Sequence, residues 1–143
     1  MAKNSRAAQV TAPSAVDKPA YPGQRFGLPE DGPGSVASMP RRLLALFIDW
    51  LLCMLIAYGL LRSQFWTIAV FAVEVYFLTA TTGFTVGKRL AGIRTIRTDG
   101  SLVGFKWALV RTAILLTVIP PLLTDRDLRG LHDRASDTVV VLL

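Results

Sequence analysis

The sequence predicts a mainly α-helical membrane protein: a two-helix transmembrane hairpin, a third membrane helix that is either re-entrant or spanning, and a small cytoplasmic β-element pairing a basic loop with the C-terminal strand. Three observations predict it. Apolar residues make up 52% of the 143-residue chain and the mean hydropathy is +0.44, high for a water-soluble domain of this size. The excess is gathered into three blocks, 43–61, 65–81 and 107–124, of about 17 to 19 residues each, the length a bilayer core requires at 1.5 Å per residue. The one long polar connection, 81–99, lies between the second and third blocks. It interleaves Gly83, Gly87 and Gly92 with Lys88, Arg89, Arg94 and Arg97, and positive loops are retained on the cytoplasmic face.

Residues 1–40 carry Pro13, Pro19, Pro22, Pro29, Pro33 and Pro40 among small and charged residues without helical or strand periodicity, so they read as a disordered cytoplasmic tail. No apolar core follows Lys3 and Arg6, so no cleaved signal peptide is expected. The remainder, 41–143, reads as one membrane domain. Pro40 and the pair Arg41-Arg42 open the first span with a positive anchor.

Each of the first two spans has one charged exception. Asp49 follows Arg42 by two helical turns, leaving the two side chains about 20° apart on one face. Glu74 sits in a polar stripe with Thr67 and Thr81 on the second span. Counted from the cytoplasmic ends, Asp49 and Glu74 lie at roughly 9 and 11 Å depth, so the two can be level. The turn between the spans, Arg62-Ser63-Gln64, is short enough to force an antiparallel hairpin.

The loop motif GFTVGKR at 83–89 is one residue short of a phosphate-binding loop and has Arg89 where a magnesium-binding hydroxyl belongs, so nucleotide binding is rejected. Residues 92–105 read as extended structure turning at Asp99-Gly100. In the third block Arg111 falls about 7 Å inside the start if Lys106 marks the interface, and Pro120-Pro121 interrupts a continuous helix. Residues 138–142 read as a strand that needs a partner edge, and 93–97 is the available one. Pairing them keeps the C-terminus cytoplasmic and makes the third segment re-entrant.

Four segments, RRLLALFID at 41–49, GFTVGKRLAGIRTIRTDG at 83–100, Arg111, and RGLHDRASDTVVV at 129–141, together resemble the RDD family of small bacterial membrane proteins, named for one arginine and two aspartates. Carried over residue by residue, the resemblance puts the arginine on Arg41 or Arg42, the first aspartate on Asp49 and the second on Asp133, with Gly83, Gly87, Lys88, Arg129 and His132 as further motif positions. The chain departs from the family pattern at Ala135-Ser136-Asp137, where an Ala-Gly pair is usual, and at Thr95. The family is largely uncharacterised, and the resemblance implies transport as the role most often proposed.

Two function classes follow. Arg42, Asp49, Glu74 and Arg111 could form an intramembrane charge cluster of a transport or ion-coupling component, which with so few helices needs homo-oligomerisation or a larger membrane partner. Alternatively the chain is a non-catalytic accessory or scaffold protein that docks a partner through its loop and tail. An enzyme is not expected, because His132-Asp133 has no nucleophile beside it. One histidine and scattered aspartates make no metal site, no cofactor motif is present, and the lone Cys53 reads as a small buried apolar residue. The net charge of +6 sits beside the apolar blocks, which points to anionic lipid at the cytoplasmic face of the cell membrane and not to nucleic acid.

Overall fold

A computed structural model describes residues 19–117, 123–124 and 126–143. Two long apolar helices dominate it: α1, Met39–Gly59, and α2, Thr67–Thr82, the latter preceded by a 3₁₀ turn at Gln64–Trp66. With that turn the second apolar helix runs Gln64–Thr82, and both helices are long and apolar enough to cross a bilayer. Large side chains such as Leu44, Phe47, Leu55, Ile68, Val73 and Phe77 stand exposed along them, as lipid-facing residues do.

Pro40 sits in the first turn of α1, where its missing N–H costs nothing. The buried face of α1 is Ala45, Asp49, Cys53 and Ala57, four small residues at a spacing of four. Such a stripe lets a neighbouring helix approach closely. α2 answers with Phe71, Val75 and Thr79 at the same spacing, and Phe71 meets Trp50 edge to face at 5.5 Å.

Gly83 ends α2 at φ 74°, in the left-handed region, and its carbonyl accepts the Thr95 N–H at 2.8 Å. The chain then makes the short helix α3, Val86–Leu90, and strand β1, Ile93–Arg97. α3 packs so tightly on α1 that a Cβ on Gly87 would collide with the backbone of Ala45. After β1 the Asp99 carboxylate closes a turn by accepting the N–H and hydroxyl of Ser101. Residues 101–105 do not return as a hairpin mate: the chain instead enters helix α4, Gly104–Leu115. The hairpin expected at Asp99-Gly100 is thereby corrected. The turn forms, but the next residues bury Val103 against Ala80 and Ala108.

α4 has 12 residues, about 18 Å, too short to cross a bilayer core. Pro120 and Pro121, on which the expected interruption of the third segment rests, lie outside the described residues. Past them Thr124 bridges Gly130, and helix α5, Leu131–Ala135, leads into β2, Thr138–Leu142. β2 pairs antiparallel with β1, Ile93 opposite Leu142 and Arg97 opposite Thr138.

The tail needs a correction as well. Of the expected disorder over 1–40, residues 1–18 lie outside the described part, but 19–38 are folded onto the molecule. Ala37 donates its N–H to Val140 at 2.8 Å, Gly34 to Leu142 at 3.0 Å, and Leu142 returns one to Ser35 at 2.9 Å. These bonds satisfy the edge of β2 that β1 leaves open, so proline and glycine content here marks a shaped segment and not a solvated one. Ala37, Ala45, Ile93 and Val140 form the small apolar core at the foot of α1.

Gly87→Ala forces α3 away from α1 and is expected to destabilise the protein by about 1–3 kcal/mol in thermal unfolding in detergent, the range for overpacking. Gly59→Ala, with open space around the added methyl, should stay within about 1 kcal/mol of the parent.

Candidate functional site

The charged residues gather where the foot of α1 meets α4, α5 and the sheet. At the centre is Asp133, whose side chain is wholly buried at the start of α5. Arg42 reaches one carboxylate oxygen at 3.2 Å, and Arg111 pairs with the other. The remaining acceptor capacity of Asp133 takes the Gly130 N–H at 3.3 Å and the Thr138 hydroxyl at 3.4 Å. One carboxylate thus serves two guanidiniums, each of which has further bonds. Arg42 donates to the carbonyls of Ala37 and Val140, at 3.1 and 3.3 Å, and Arg111 to the Thr138 hydroxyl at 2.9 Å. Arg129 closes the far side, donating to the carbonyls of Thr138 and Asp133 and covering the Phe26 ring at 4.9 Å.

Of the two arginines at the start of α1, Arg42 enters this network while Arg41 is exposed. Asp49, one of the four expected members of the intramembrane cluster, bonds to neither arginine. It accepts the Thr85 hydroxyl and the Gly87 N–H, the latter at 2.6 Å, and so holds the first turn of α3. Glu74 lies apart again, accepting the Cys53 thiol at 3.0 Å. Cys53 is buried, as a small apolar residue would be, but it also donates a hydrogen bond between α1 and α2.

Arg42, Asp49, Lys88, Arg111, His132 and Asp133 line one cavity of about 50 Å³. Glu74 does not line it. The structure therefore brings three of the expected four charges to one space and adds Lys88, His132 and Asp133 from the motif positions. Gly83 and Gly87 act through the backbone by letting β1 and α1 come close. Lys88 reaches inward to the Thr79 hydroxyl at 3.4 Å and makes no ion pair among the described residues. Burial, followed by the charge of Arg111, lowers its pKa well below the usual lysine range.

Sequence reasoning missed Thr85, Thr138 and the backbone carbonyls of Ala37 and Val140. A signal existed for Thr85, a hydroxyl residue just before a short helical run, where it accepts the Lys88 N–H. Asp137 takes φ 51°, a left-handed backbone that suits the glycine usual in the motif and that aspartate tolerates.

His132 is mostly buried, and its pKa is pushed down to about 2 by burial first and then by Arg111, Lys88 and Arg42. Below pH ~6.5 the unfolded chain takes up a proton that the folded chain refuses, so the stabilisation is full above that pH and declines as pH falls toward the folded value. Thermal unfolding followed from about pH 7 to 5 should show stability falling in the parent and a flatter profile in His132→Gln.

Compared with known proteins, residues 60–137, more than half of the chain, match the family described as the RDD family. The matched region contains Glu74, Gly83, Gly87, Lys88, Arg111, Arg129, His132 and Asp133, and begins after Asp49. No curated protein matches the chain, and no solved structure does.

Proposed function

The chain belongs to the RDD family of membrane proteins, and on that premise we propose that it is a non-catalytic, multi-pass ion-coupling component of a transport system in the cell membrane. The observation that carries this reading is the cavity that buries five charged side chains and a histidine beside two spanning-length helices. Ionisable groups at such depth are costly and mark ion pathways by default. Two helices enclose no pathway, so the working unit is a homo-oligomer or a complex with a larger membrane partner.

In this reading the N-terminus, β1 and β2 lie on the cytoplasmic side. Arg41, Arg89, Arg94 and Arg97 support that orientation, since they cluster at one end of the hairpin while the short turn at the other carries only Arg62. The same basic residues meet anionic lipid headgroups. α4 is re-entrant: it starts after β1 and the chain returns in time for β2 to pair with β1. A second reading, the accessory or scaffold protein, is favoured by one specific observation. Asp49, Asp133, Arg42 and Arg111 all find partners inside the chain, as a purely structural network requires.

Proteoliposomes holding the full chain, assayed for dissipation of imposed sodium, potassium, proton and chloride gradients, separate the two. Ion coupling predicts a flux above empty liposomes that Asp49→Asn reduces by about tenfold or more; an inert parent protein sinks the proposal and leaves the accessory reading. In intact cells, Leu143→Cys in a Cys53→Ser background should resist an impermeant thiol reagent, and ready labelling would refute the orientation.

A further inference from the structure

We propose that the groove where the end of α2 meets α3 binds one anionic glycerophospholipid, its phosphate held by Arg89 and Arg94 and an acyl chain laid along Leu78, Val86 and Leu90. The inference rests on the proposed orientation, in which this end of the hairpin meets the cytoplasmic leaflet. It turns a general attraction for anionic lipid into one site with named ligands.

Two guanidiniums without counter-charges supply the headgroup contact. Those of Arg89 and Arg94 stand over one ring, Phe84, at 5.0 and 5.1 Å from its centre. Neither makes an ion pair among the described residues, and the buried Nε of Arg94 has no hydrogen-bond partner among them. Two like charges brought to one ring repel each other, and a phosphate between them relieves that repulsion while matching the fork of N–H donors that each presents. Their positions are fixed before a ligand arrives. A Cβ on Gly83 would come within 3.3 Å of Arg94 Nε and 3.4 Å of its Cγ, so the glycine is what lets the Arg94 side chain lie across the end of α2. The Phe84 ring then holds both guanidiniums by cation–π contact, and less side-chain freedom is lost on binding.

The groove itself supplies the apolar contact. Arg89 forms part of its wall, with Leu78, Thr82, Phe84, Val86 and Leu90, around about 360 Å³ of space, a volume at the lower end for ligand clefts. Val86 and Leu90 lie one turn apart on α3 and are 40% and 70% exposed. Apolar surface beside uncompensated positive charge, at the end of a helix of spanning length, fits an amphiphile that carries a phosphate at one end. A soluble phosphate would leave the apolar wall bare. A second copy docked through this face about a two-fold axis would bring its own Arg89 and Arg94 against these two, adding repulsion instead of removing it. The groove is open on one side, which suits a ligand whose other flank rests in the bilayer.

The test is native mass spectrometry of the full chain released from detergent micelles that carry phosphatidylglycerol and phosphatidylcholine with the same acyl chains. The parent protein should retain one phosphatidylglycerol in preference to phosphatidylcholine. Arg89→Gln with Arg94→Gln should lower that preference about tenfold or more, while Arg25→Gln with Lys106→Gln, which removes the same charge from exposed side chains, leaves it unchanged. Leu90→Gln keeps both arginines and should weaken retention at least about threefold. If the double arginine variant fails to fold, Arg89→Gln alone takes its place, with a loss of at least about threefold. Equal retention of the two lipids by the parent, or parent-like preference in the folded arginine variant, overturns the proposal. So does displacement of the lipid by equimolar inorganic phosphate, which would show a site for the free ion, and so do dimers in place of lipid adducts. Preference for phosphatidylglycerol in a chain whose Leu143→Cys is labelled from outside would leave the site standing and overturn the orientation. No preference in a chain whose Leu143→Cys resists the reagent would overturn the site alone.

Discussion

A single buried carboxylate holds this molecule together at the point where its membrane and surface parts meet. Asp133 draws in Arg42 from the first turns of α1 and Arg111 from the middle of α4. Leaving either guanidinium unpaired in a buried setting costs about 3–5 kcal/mol, more than most single contacts contribute. Each arginine also carries the constraint outward. Arg42 ties down the carbonyls of Ala37 and Val140, so that one side chain orders the segment before α1 and the strand it lies against. Arg111 reaches Thr138, the first residue of β2. The orientation of the sheet relative to the helical hairpin is therefore set by ion pairs and backbone bonds, because the apolar core at the foot of α1 comprises little more than Ala37, Ala45, Ile93 and Val140.

The carboxylates of the two long apolar helices are placed by contacts on a smaller scale. Asp49 takes the donors at the start of α3, whereas Glu74 takes the Cys53 thiol of α1 on one oxygen and its buried Oε1 has no hydrogen-bond partner among the described residues. The pairing of Asp49 follows from the cost of an unmade hydrogen bond away from water. It also explains Gly87: only a residue without a side chain lets its N–H reach Asp49 while its Cα rests on the backbone of Ala45.

How much of this was legible in the sequence depends on how local its cause was. The two long helices were legible because 43–61 and 65–81 are apolar on all sides, which only lipid or a large core permits. The strand-forming runs 93–97 and 138–142 were legible from β-branched residues, and their pairing from the lack of any other edge. Two things were not. The segment 34–37 reads as linker, and its order comes from β2, a strand more than a hundred residues on, together with Arg42 and the apolar cluster around Ala37. The partner of each charge was equally hidden. Helical spacing puts Arg42 and Asp49 on one face but says nothing of what covers that face, and what covers it is α3 for Asp49 and α5 for Arg42. Asp133 and Arg111, 22 residues apart in sequence, meet only because the chain doubles back after α4.

The central claim is that Asp133 and its arginines are one energetic unit. A double-mutant cycle in detergent, with Arg111→Leu, Asp133→Leu and the pair, measures it by thermal or denaturant unfolding. The account predicts that each single change costs about 3–5 kcal/mol and that the pair costs less than their sum by roughly 1–3 kcal/mol, because the double change leaves fewer buried charges alone. Costs that add within about 0.5 kcal/mol would contradict it.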